Sequence, residues 1–559
     1  MDIRKISPEL SVAPQIAPTD LRALAEAGFR SVICNRPDGE GPDQPVFSEI
    51  ERAAADRGLQ VRYLPAESGK VSDAQGAAFG ALMAELPKPV LAFCRTGMRS
   101  TTMWALSQAG QLPLPQIIER ASAAGFDLKG VVRRILNGGR TPLDVADATH
   151  DVVIVGGGAA GIAVAASLLQ RSPGLDIAII DPADIHYYQP GWTLVGAGVF
   201  QPATTARTMA SVLPRGVHWI QSAVAAFEPE RNAVVLDGCR VVKYQQLVVC
   251  PGLKLDWHGI EGLSATLGRN GVTSNYRYDL ASYTWHLVQQ LHRGKAVFTQ
   301  PPMPIKCAGA PQKAMYLSAD HWRRIGVLKA VDIQFCSAGA VLFGVADYVP
   351  ALMAYVQAYG IGLNFGETLV AVDGPGRRAS FVKTGPDGTK TTLTREFDLL
   401  HVVPPQTAPD FVRLSPLADA AGWVDVDAAT LRHTVYGNVF GLGDATNTPN
   451  AKTAAATRMQ APVVAHNLLA TRGAAREKAM GDAKYNGYGS CPLTVERGKI
   501  VLAEFGYGGK LAPSLPTWLI DGKRPSVLAW YLKERLLPPL YWQAMLKGRE
   551  WLARPEMVG

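Results

Sequence analysis

Asp151-Val-Val-Ile-Val155, followed by Gly156-Gly157-Gly158-Ala-Ala-Gly161, decides the fold of most of this chain. The apolar run predicts a buried parallel strand, and the residues after the glycines continue as a helix. Glycines at these places allow a tight turn and bring backbone N–H groups close to a pyrophosphate at the positive end of the helix. A second strand ends at Asp181, where an acid that binds ribose is expected. The pattern predicts a dinucleotide site formed by Gly156, Gly158, Gly161 and Asp181 in a Rossmann-like α/β domain.

Two later segments favour a flavin over a nicotinamide in that site. Asn438–Ala445 contains Gly443 and Asp444. It resembles the second flavin motif of two-dinucleotide flavoproteins, whose aspartate contacts the ribityl and phosphate region. Gln246–Gly252 resembles the strand-and-glycine segment of the same proteins. By this resemblance the cofactor is FAD, although each segment alone is also typical of a buried strand and turn.

The segment Lys306–Lys313 stands where many such flavoproteins carry a second glycine fingerprint, for a nicotinamide. A strand-like run ends in Pro-Pro-Met-Pro, and Cys307 follows. The lysines on either side favour the thiolate, because nearby cations lower a thiol pKa. A further strand-like run, Ala330–Cys336, leads into a stretch that is poor in glycine. These features predict a flavin that is reduced by sulfur chemistry.

Cys307 is one of seven cysteines, and the residues alone leave its partner open. Cys491 lies in a Gly/Ser/Pro turn and is a candidate. The other cysteines outside the N-terminal loop lie in or beside apolar segments, which is typical of buried thiols: Cys34, Cys239, Cys250 and Cys336. No signal peptide is recognisable, so any disulfide is expected to be catalytic rather than structural.

Four long stretches of the chain resemble sulfide:quinone oxidoreductases, in particular the two-cysteine subgroup that includes the mitochondrial enzyme of animals. The resemblance covers about residues 149–555, and the stretches are His186–Gly198, Lys306–Lys313, Ala420–Val426 and Ser490–Leu493. It implies that Cys307 and Cys491 form a disulfide or trisulfide beside the isoalloxazine. It also implies that Cys491 keeps the sulfane sulfur while Cys307 reacts with the flavin.

The same resemblance implies sulfide as the substrate, quinone as the electron acceptor, and a thiol or sulfite as the sulfur acceptor. Lys452 is a candidate for stabilising negative charge on the reduced flavin. The alternative for Lys452 is an ordinary surface lysine.

The tail after about residue 515 combines aromatic and basic residues. Helical patterns at Leu528–Leu537 and Leu540–Gly548 lie on either side of Pro538-Pro539, and the last 51 residues hold eight basic and four acidic side chains. This mixture is typical of a helix at a membrane interface, although a helix packed on the domain would show a similar pattern. No apolar run reaches 18 residues. We therefore expect a peripheral membrane protein, on the cytoplasmic face, that does not bind nucleic acid.

The first 140 residues form a separate pattern of alternating strands and helices. Strands are predicted at Phe29–Cys34 and Pro89–Cys94, helices at Asp20–Ala27 and Asp73–Leu86, and the domain boundary at Gly138–Pro142. Cys94-Arg-Thr-Gly-Met-Arg99-Ser100 follows a strand and precedes a helix. Such a loop directs backbone N–H groups at an anion and favours a nucleophilic thiolate.

The spacing of this loop leaves its reaction open. Four residues separate Cys94 from Arg99, where tyrosine phosphatases have five, and the shorter loop resembles that of many rhodaneses. The domain as a whole resembles a small phosphatase-like family to which sulfur transfer is often ascribed. Asp38 stands where such phosphatases keep a general acid. Sulfur transfer, phosphatase activity and an inactive docking domain all remain as alternatives.

The sequence thus predicts three parts: 1–140 as a phosphatase-like or sulfurtransferase-like domain, 149–515 as an FAD-dependent core of two Rossmann-like subdomains, and 516–559 as a membrane-associating tail. No metal site is expected. Sulfide oxidation with quinone is the predicted activity. The alternatives are an NADH:quinone oxidoreductase on the same scaffold, and a sulfide or redox sensor with an N-terminal phosphatase domain.

Overall fold

The structure is a computed structural model that describes residues 2–42, 44–142, 146–385 and 387–558. The chain forms two compact units. The N-terminal unit comprises residues up to Thr149 together with Val224–Lys243 and Leu414–Pro416. The flavin unit comprises His150–Ala223, Tyr244–Arg413 and the residues from Leu417 onward.

The N-terminal unit contains a five-stranded sheet. Its strand order is Arg4–Lys5, Leu10–Ala13, Val90–Phe93, Ser31–Cys34, Gln60–Tyr63. Only the first pair is antiparallel. The two central strands are buried along their whole length, which explains their continuous apolar character. Because carboxyl ends of parallel strands meet at one edge, the loops after Cys34 and Phe93 lie side by side.

Helices cover this sheet, and those predicted from the sequence are confirmed to within one residue. The helices are Asp20–Glu26, Phe47–Ala55, Asp73–Glu85, Met98–Ser107, Leu114–Ala123 and Val132–Leu136. Ser72 accepts a hydrogen bond from the N–H of Gln75 and completes a capping box, which fixes the start of the third helix. A hairpin, Val224–Glu228 and Ala233–Leu236, also belongs to this unit.

The first sheet of the flavin unit carries the glycine fingerprint. Its strands lie in the order Val217–Ile220, Ile177–Ile180, Ala148–Val155, Val241–Val249, and Val439–Gly441 pairs with the last of these. Val152 lies opposite Ile177 and Val155 opposite Ile180 in a parallel ladder. The helices Ala159–Arg171 and Ala454–Thr471 pack with this sheet in one apolar core. This is the predicted Rossmann-like architecture.

A second parallel sheet forms the other Rossmann-like subdomain. Its order is Val272–Thr273, Leu399–His401, Gly294–Gln300, Val331–Ser337, Gly362–Phe365. The helices of this region are Tyr278–Gln290, Ala310–Arg324 and Val349–Tyr359, and an antiparallel sheet follows: Glu367–Asp373, Arg378–Thr384 and Lys390–Glu396. The chain leaves the central strand at Gln300 and reaches the helix Ala310–Arg324 through the Cys307 segment.

A hairpin and a helical segment complete the flavin unit. The hairpin consists of Gly489–Glu496 and Lys499–Phe505 and packs on the helix Ala310–Arg324. The helical segment consists of the helix Val527–Tyr531, a π-turn at Leu532–Leu536 and the helix Leu537–Gln543. Pro538 and Pro539, which separate the two helical patterns of the sequence, lie in the first turn of the last helix, where a missing N–H costs no helical hydrogen bond.

Candidate active site

The glycine loop before the helix Ala159–Arg171 has the shape that a dinucleotide needs. Gly156 has φ +109°, and a Cβ there would lie 2.5 Å from the carbonyl oxygen of Cys250. A Cβ on Gly161 would lie 1.8 Å from the carbonyl oxygen of Gly156. Apart from its chain neighbours, no described residue comes within 4 Å of a Cβ built on Gly158, and none caps this helix with its side chain. Backbone N–H groups therefore face open space, which fits the pyrophosphate of FAD.

Asp181 lies beside this loop, as predicted. One carboxylate oxygen accepts a hydrogen bond from the N–H of Gly157 at 2.6 Å, and the other accepts from Ala183 at 2.8 Å. These bonds fix the carboxylate at the end of its strand, next to the open space of the glycine loop. Its role in binding ribose stays a prediction.

The second flavin segment lies at the carboxyl end of the strand Val439–Gly441. Gly443 has φ +75°, and its N–H donates to the side chain of Gln460 at 2.8 Å. Gly252 also has a positive φ of +76° and open space where a side chain would start. Burial raises the pKa of Asp444, while Lys452 and Lys306 act in the opposite direction. The structure thus brings Asp444 together with two cations and Cys307, whose charge also affects it.

Cys307 is held at the start of the helix Ala310–Arg324. Its φ is +47°, its N–H donates to the carbonyl oxygen of Lys452 at 2.8 Å, and its carbonyl oxygen accepts from Ala310 at 2.7 Å. The ammonium of Lys313 donates to the Cys307 sulfur at 3.2 Å. Lys313 is only 2 % exposed, so its charge is poorly screened and acts strongly on the sulfur.

Cys491 projects from the hairpin toward Cys307. Cys491 is 3 % exposed, and both thiols are free in the structure. A Cβ on Gly309 would lie 2.4 Å from the Cys491 sulfur, so the close approach requires glycine at that position. Cys307 packs against the apolar core that contains Cys491, and each thiol acts on the pKa of the other. The structure therefore brings together the two cysteines that the resemblance paired.

The two thiols have opposite acid strengths. The pKa of Cys307 lies well below its usual value because of its interaction with Cys491 and the charges of Lys313 and Lys533. The pKa of Cys491 lies well above its usual value because of its interaction with Cys307 and its burial. Cys307 is the thiolate of the pair and Cys491 the thiol.

Lys533 is a site residue that the sequence did not predict. It lies in the π-turn Leu532–Leu536, and burial, together with repulsion from Lys313, lowers its pKa to about 7. The charges of Cys307 and Cys491 act on it in the opposite direction. The sequence places Lys533 in a tail rich in lysine and arginine, where nothing distinguishes it from a surface residue.

Lys452 is buried, which excludes the surface alternative. Its ammonium donates to the carbonyl oxygen of Thr446 at 2.7 Å and lies 4.3 Å from the ring centre of Trp423. Burial lowers its pKa to about 8, although Asp444 and Asp419 oppose the shift. Its action on a reduced flavin stays a prediction.

Most of the remaining cysteines lie in apolar surroundings. Burial raises the pKa of Cys34 and of Cys336 to about 12, and it raises that of Cys250 further. Cys239 is half-buried, and its thiol donates to the carbonyl oxygen of Arg133 at 3.3 Å. Neutral thiols are poor nucleophiles, so the first three suit structural positions.

The Cys94 loop of the N-terminal unit has the predicted form. Cys94 is buried, and the N–H of Gly97 donates to its sulfur at 3.1 Å. Arg99 lies in the first turn of the following helix and bonds to both carboxylate oxygens of Glu40. Asp38 is exposed and accepts a hydrogen bond from the N–H of Phe47 at 2.8 Å. Its role as a general acid stays a prediction, whereas Glu40, which the sequence did not single out, contacts Arg99 directly.

The segment Pro516–Leu536 exposes a group of large apolar side chains, which we call the apolar tail surface. Trp518 is 84 % exposed, and the other members are Leu519, Val527, Leu528, Tyr531 and Leu536. Lys523 and Arg524 are exposed in the same segment. Among the residues that the structure describes, none of the helices is long and apolar enough to cross a bilayer. Within the same residues, no group of His, Cys, Asp and Glu side chains is arranged to hold a metal ion.

The residues that follow the apolar tail surface in the chain pack against the predicted FAD site. Tyr541 and Trp542 are buried in the same apolar core as the helix Ala159–Arg171. The hydroxyl of Tyr541 lies 2.7 Å from Nε2 of His186, whose Nδ1 lies 3.2 Å from the carbonyl oxygen of Gly157. Burial lowers the pKa of His186 to about 4, so the ring is neutral. The tail is therefore part of the wall of the glycine loop as well as a source of exposed surface.

Comparison with family models divides the chain as the two patterns do. Residues 2–111 match the model of the beta-lactamase hydrolase-like protein, phosphatase-like domain. Residues 150–289 match the pyridine nucleotide-disulphide oxidoreductase model.

Curated relatives match the two parts separately. The mitochondrial sulfide:quinone oxidoreductase of Dictyostelium discoideum is 41 % identical over 409 residues, which is 72 % of this chain and 87 % of that protein. The beta-lactamase hydrolase-like protein of Agrobacterium fabrum is 34 % identical over 131 residues, 23 % of this chain and 30 % of that protein.

Solved structures agree on the fold of the larger part. The sulfide:quinone oxidoreductase of Aquifex aeolicus covers 73 % of this chain with 97 % of its own, at a TM-score of 0.60 and 18 % identity. The flavin unit thus has a two-dinucleotide flavoprotein fold with FAD as its cofactor.

Proposed function

The chain belongs to the sulfide:quinone oxidoreductase family, and on that premise we propose that it oxidises sulfide at the Cys307–Cys491 pair and passes the electrons to a quinone. The observation that carries this proposal is the position of the pair. The central strand Gly294–Gln300 leads to Cys307 at the start of a helix, where a nicotinamide enzyme of this fold would hold its pyrophosphate. The Cys491 sulfur lies beside this segment, 2.4 Å from the place of a Cβ on Gly309, and it acts on the pKa of Cys307.

The acid strengths assign a role to each sulfur. In the oxidised pair, hydrosulfide attacks the Cys491 sulfur, a new S–S bond forms, and the bond to Cys307 breaks. Cys307 leaves with the electron pair as a thiolate. The better leaving group is the thiol of lower pKa, which is Cys307, so attack at Cys491 is favoured. The persulfide therefore forms on Cys491.

Removal of the sulfur and reoxidation complete the cycle. A thiolate or sulfite acceptor attacks the outer sulfur of the Cys491 persulfide and leaves Cys491 as a thiolate. Bound FAD supplies a two-electron acceptor for restoring the S–S bond and returns these electrons to quinone. Cys307 is suited to the flavin side of the pair because its charge acts on Asp444, the residue expected to contact the flavin.

Two lysines act at the Cys307–Cys491 pair, one by stabilising negative charge and the other by carrying a proton. Lys313, whose pKa is raised because the attraction of Cys307 and Cys491 outweighs its burial, stays charged and stabilises the Cys307 thiolate. Lys533, with a pKa of about 7, changes its protonation state near neutral pH. Its Nζ can take up the proton that hydrosulfide loses on attack and return it to the departing acceptor product.

The experiment uses the purified full-length protein, sulfide and a short-chain quinone. We expect sulfide to bleach the visible flavin absorbance and the quinone to restore it. Cys307→Ser or Cys491→Ser abolishes the bleaching, whereas Cys239→Ser, at a half-buried thiol of the N-terminal unit, serves as the matched control. Rapid reduction by NADH with no response to sulfide would instead establish the NADH:quinone alternative. Bleaching without quinone turnover would favour a sensor.

The apolar tail surface supports contact with a membrane, where a quinone resides. Trp518 and Tyr531 are exposed beside Lys523 and Arg524, and aromatic and basic side chains together suit an anionic bilayer surface. We expect the protein to sediment with anionic vesicles. Replacing Trp518 and Tyr531 by Ser weakens sedimentation several-fold, while the same change at exposed Val435, outside this surface, has no effect.

The N-terminal unit supports a second activity, transfer of sulfane sulfur through Cys94. The observation that favours it is the short loop, whose Gly97 N–H donates to the sulfur itself. Joining a sulfur acceptor to a sulfur-producing unit raises the effective concentration of one for the other. We expect thiocyanate from thiosulfate and cyanide, lost in Cys94→Ser, while flavin bleaching by sulfide persists. Hydrolysis of p-nitrophenyl phosphate instead of sulfur transfer would establish the phosphatase alternative.

A further inference from the structure

Glu40 is the carboxylate that binds the guanidinium of Arg99 in the Cys94 loop. Oε1 of Glu40 accepts from Nη1 of Arg99 at 2.9 Å, and Oε2 accepts from Nη2 at 2.8 Å. Nη1 also donates to the carbonyl oxygen of Ala66 at 2.6 Å. Oε2 of Glu40 accepts a further bond from Nε of Arg36 at 2.7 Å. Arg99 is only 7 % exposed in its side chain, so these contacts fix it away from solvent.

These bonds use a defined part of the Arg99 side chain. A guanidinium has five N–H donors. Glu40 and Ala66 take both hydrogens of Nη1 and one of Nη2, which leaves the edge formed by Nε and the second Nη2 hydrogen. The charge of the Cys94 sulfur attracts Arg99, and the donors left to face that sulfur are those of the free edge.

Building on the sulfur-transfer function proposed above, we infer that Glu40 is the positioning residue of the Cys94 site. It holds Arg99 so that the free edge of the guanidinium stabilises a singly charged sulfur on Cys94. Arg36 fixes Glu40 in turn through the bond from its Nε.

The same geometry serves both states of the transfer. The Cys94 thiolate attacks the outer sulfur of a persulfide donor, the S–S bond of the donor breaks, and the donor leaves as a thiolate. The new persulfide on Cys94 gives its proton to the departing thiolate or to water, and it then carries the same single negative charge beside the same edge of Arg99. No charge is gained or lost at the site, so a fixed guanidinium serves reactant and product alike.

A simple electrostatic role for Glu40 predicts the opposite result from a positioning role. Arg99 acts on the Cys94 sulfur directly, and the neighbouring loop after Cys34 carries the charged side chains of Arg36, Asp38 and Glu40. Cys34 on the neighbouring strand is neutral, because burial raises its pKa to about 12. Removing only the negative charge of Glu40 would leave more positive charge near the sulfur and increase its thiolate fraction. Removing the hydrogen bonds that hold Arg99 beside the sulfur would decrease the thiolate fraction.

The experiment measures the rate of Cys94 alkylation by iodoacetamide against pH, in the full-length protein, by peptide mass spectrometry. We expect Glu40→Gln to slow alkylation at neutral pH several-fold, because Arg99 would no longer be held beside the sulfur. Glu40→Asp, which keeps the charge with a shorter reach, restores part of the rate. Glu67→Gln, which removes an exposed acid beside Ala66, leaves it unchanged.

Two results separate this inference from the function on which it builds. Unchanged or faster alkylation of Cys94 in Glu40→Gln would overturn the positioning role, whatever the activity. Slower alkylation, in a protein that transfers no sulfur from thiosulfate to cyanide, would support the positioning role and refute sulfur transfer. The flavin absorbance and thermal midpoint of each variant report whether the protein is folded.

Discussion

Replacing Lys533 by Met tests how a buried cation is maintained beside two sulfurs. Burial lowers the pKa of Lys533 from 10.5 to about 7. At about 1.4 kcal/mol for each unit, the charged lysine costs the folded protein about 5 kcal/mol. Met has a similar length and no charge, so Lys533→Met should stabilise the flavin unit while it removes the proton carrier.

The sign of the pH dependence follows from linkage. The unfolded chain binds this proton more tightly than the folded protein, so the cost is complete below pH 7 and disappears as the pH rises to 10.5. The stabilisation by Lys533→Met should therefore be larger at pH 6 than at pH 9, by about 3 kcal/mol. Wild-type sulfide turnover, measured at a constant concentration of hydrosulfide, should change through a pH near 7, and the variant should lack this change.

The assay is calorimetry of the reduced protein at the two pH values, together with sulfide turnover across the same range. Lys523→Met, at an exposed lysine of the same tail, is the matched control and should change neither property. A stabilisation that is equal at both pH values, or a destabilisation, would refute the reasoning. Turnover that keeps its change near pH 7 in Lys533→Met would remove this residue from the mechanism.

Three further substitutions test the close contacts of the site. Gly309→Ala places a Cβ 2.4 Å from the Cys491 sulfur. This change should lower the free energy of unfolding by about 1–3 kcal/mol and slow disulfide formation, which thiol mass tagging measures. Gly437→Ala, where a Cβ meets open space, should have neither effect. Tyr541→Phe leaves a buried nitrogen of His186 without its 2.7 Å partner; FAD should dissociate faster, seen as a rise in flavin fluorescence, and unchanged release would contradict the contact. Gly548→Ala, with φ +69° and a Cβ 2.6 Å from the carbonyl oxygen of Ala166, should release FAD similarly.

Local sequence patterns predicted those parts of the fold that depend on residues close together in the chain. The strand, glycines and helix around Gly156 predict their own geometry, because the turn and the helix start are set within ten residues. The loop from Cys94 to Arg99 is equally local. For this reason both were predictable from the sequence and appear in the structure as expected.

Contacts between distant segments were not predictable in the same way. The pairing of Cys307 with Cys491 came from resemblance, and its structural condition, glycine at 309, becomes visible only when the hairpin packs on the helix. Lys533 gave no signal, because burial of a lysine depends on tertiary packing rather than on its neighbours. For the same reason Asp38, chosen by its place in a motif, lies at the surface while Glu40 contacts Arg99.

The tail that bonds to His186 and brings Lys533 to the sulfurs also sets an order for biosynthesis. Lys533 and Tyr541 leave the ribosome after all the glycines of the FAD loop and after both cysteines. Domains fold as units during synthesis, so the N-terminal unit has its main sheet complete long before the flavin unit can close. Capture of the cofactor and completion of the thiol site are thereby late steps, and a chain interrupted before Lys533 would lack both together.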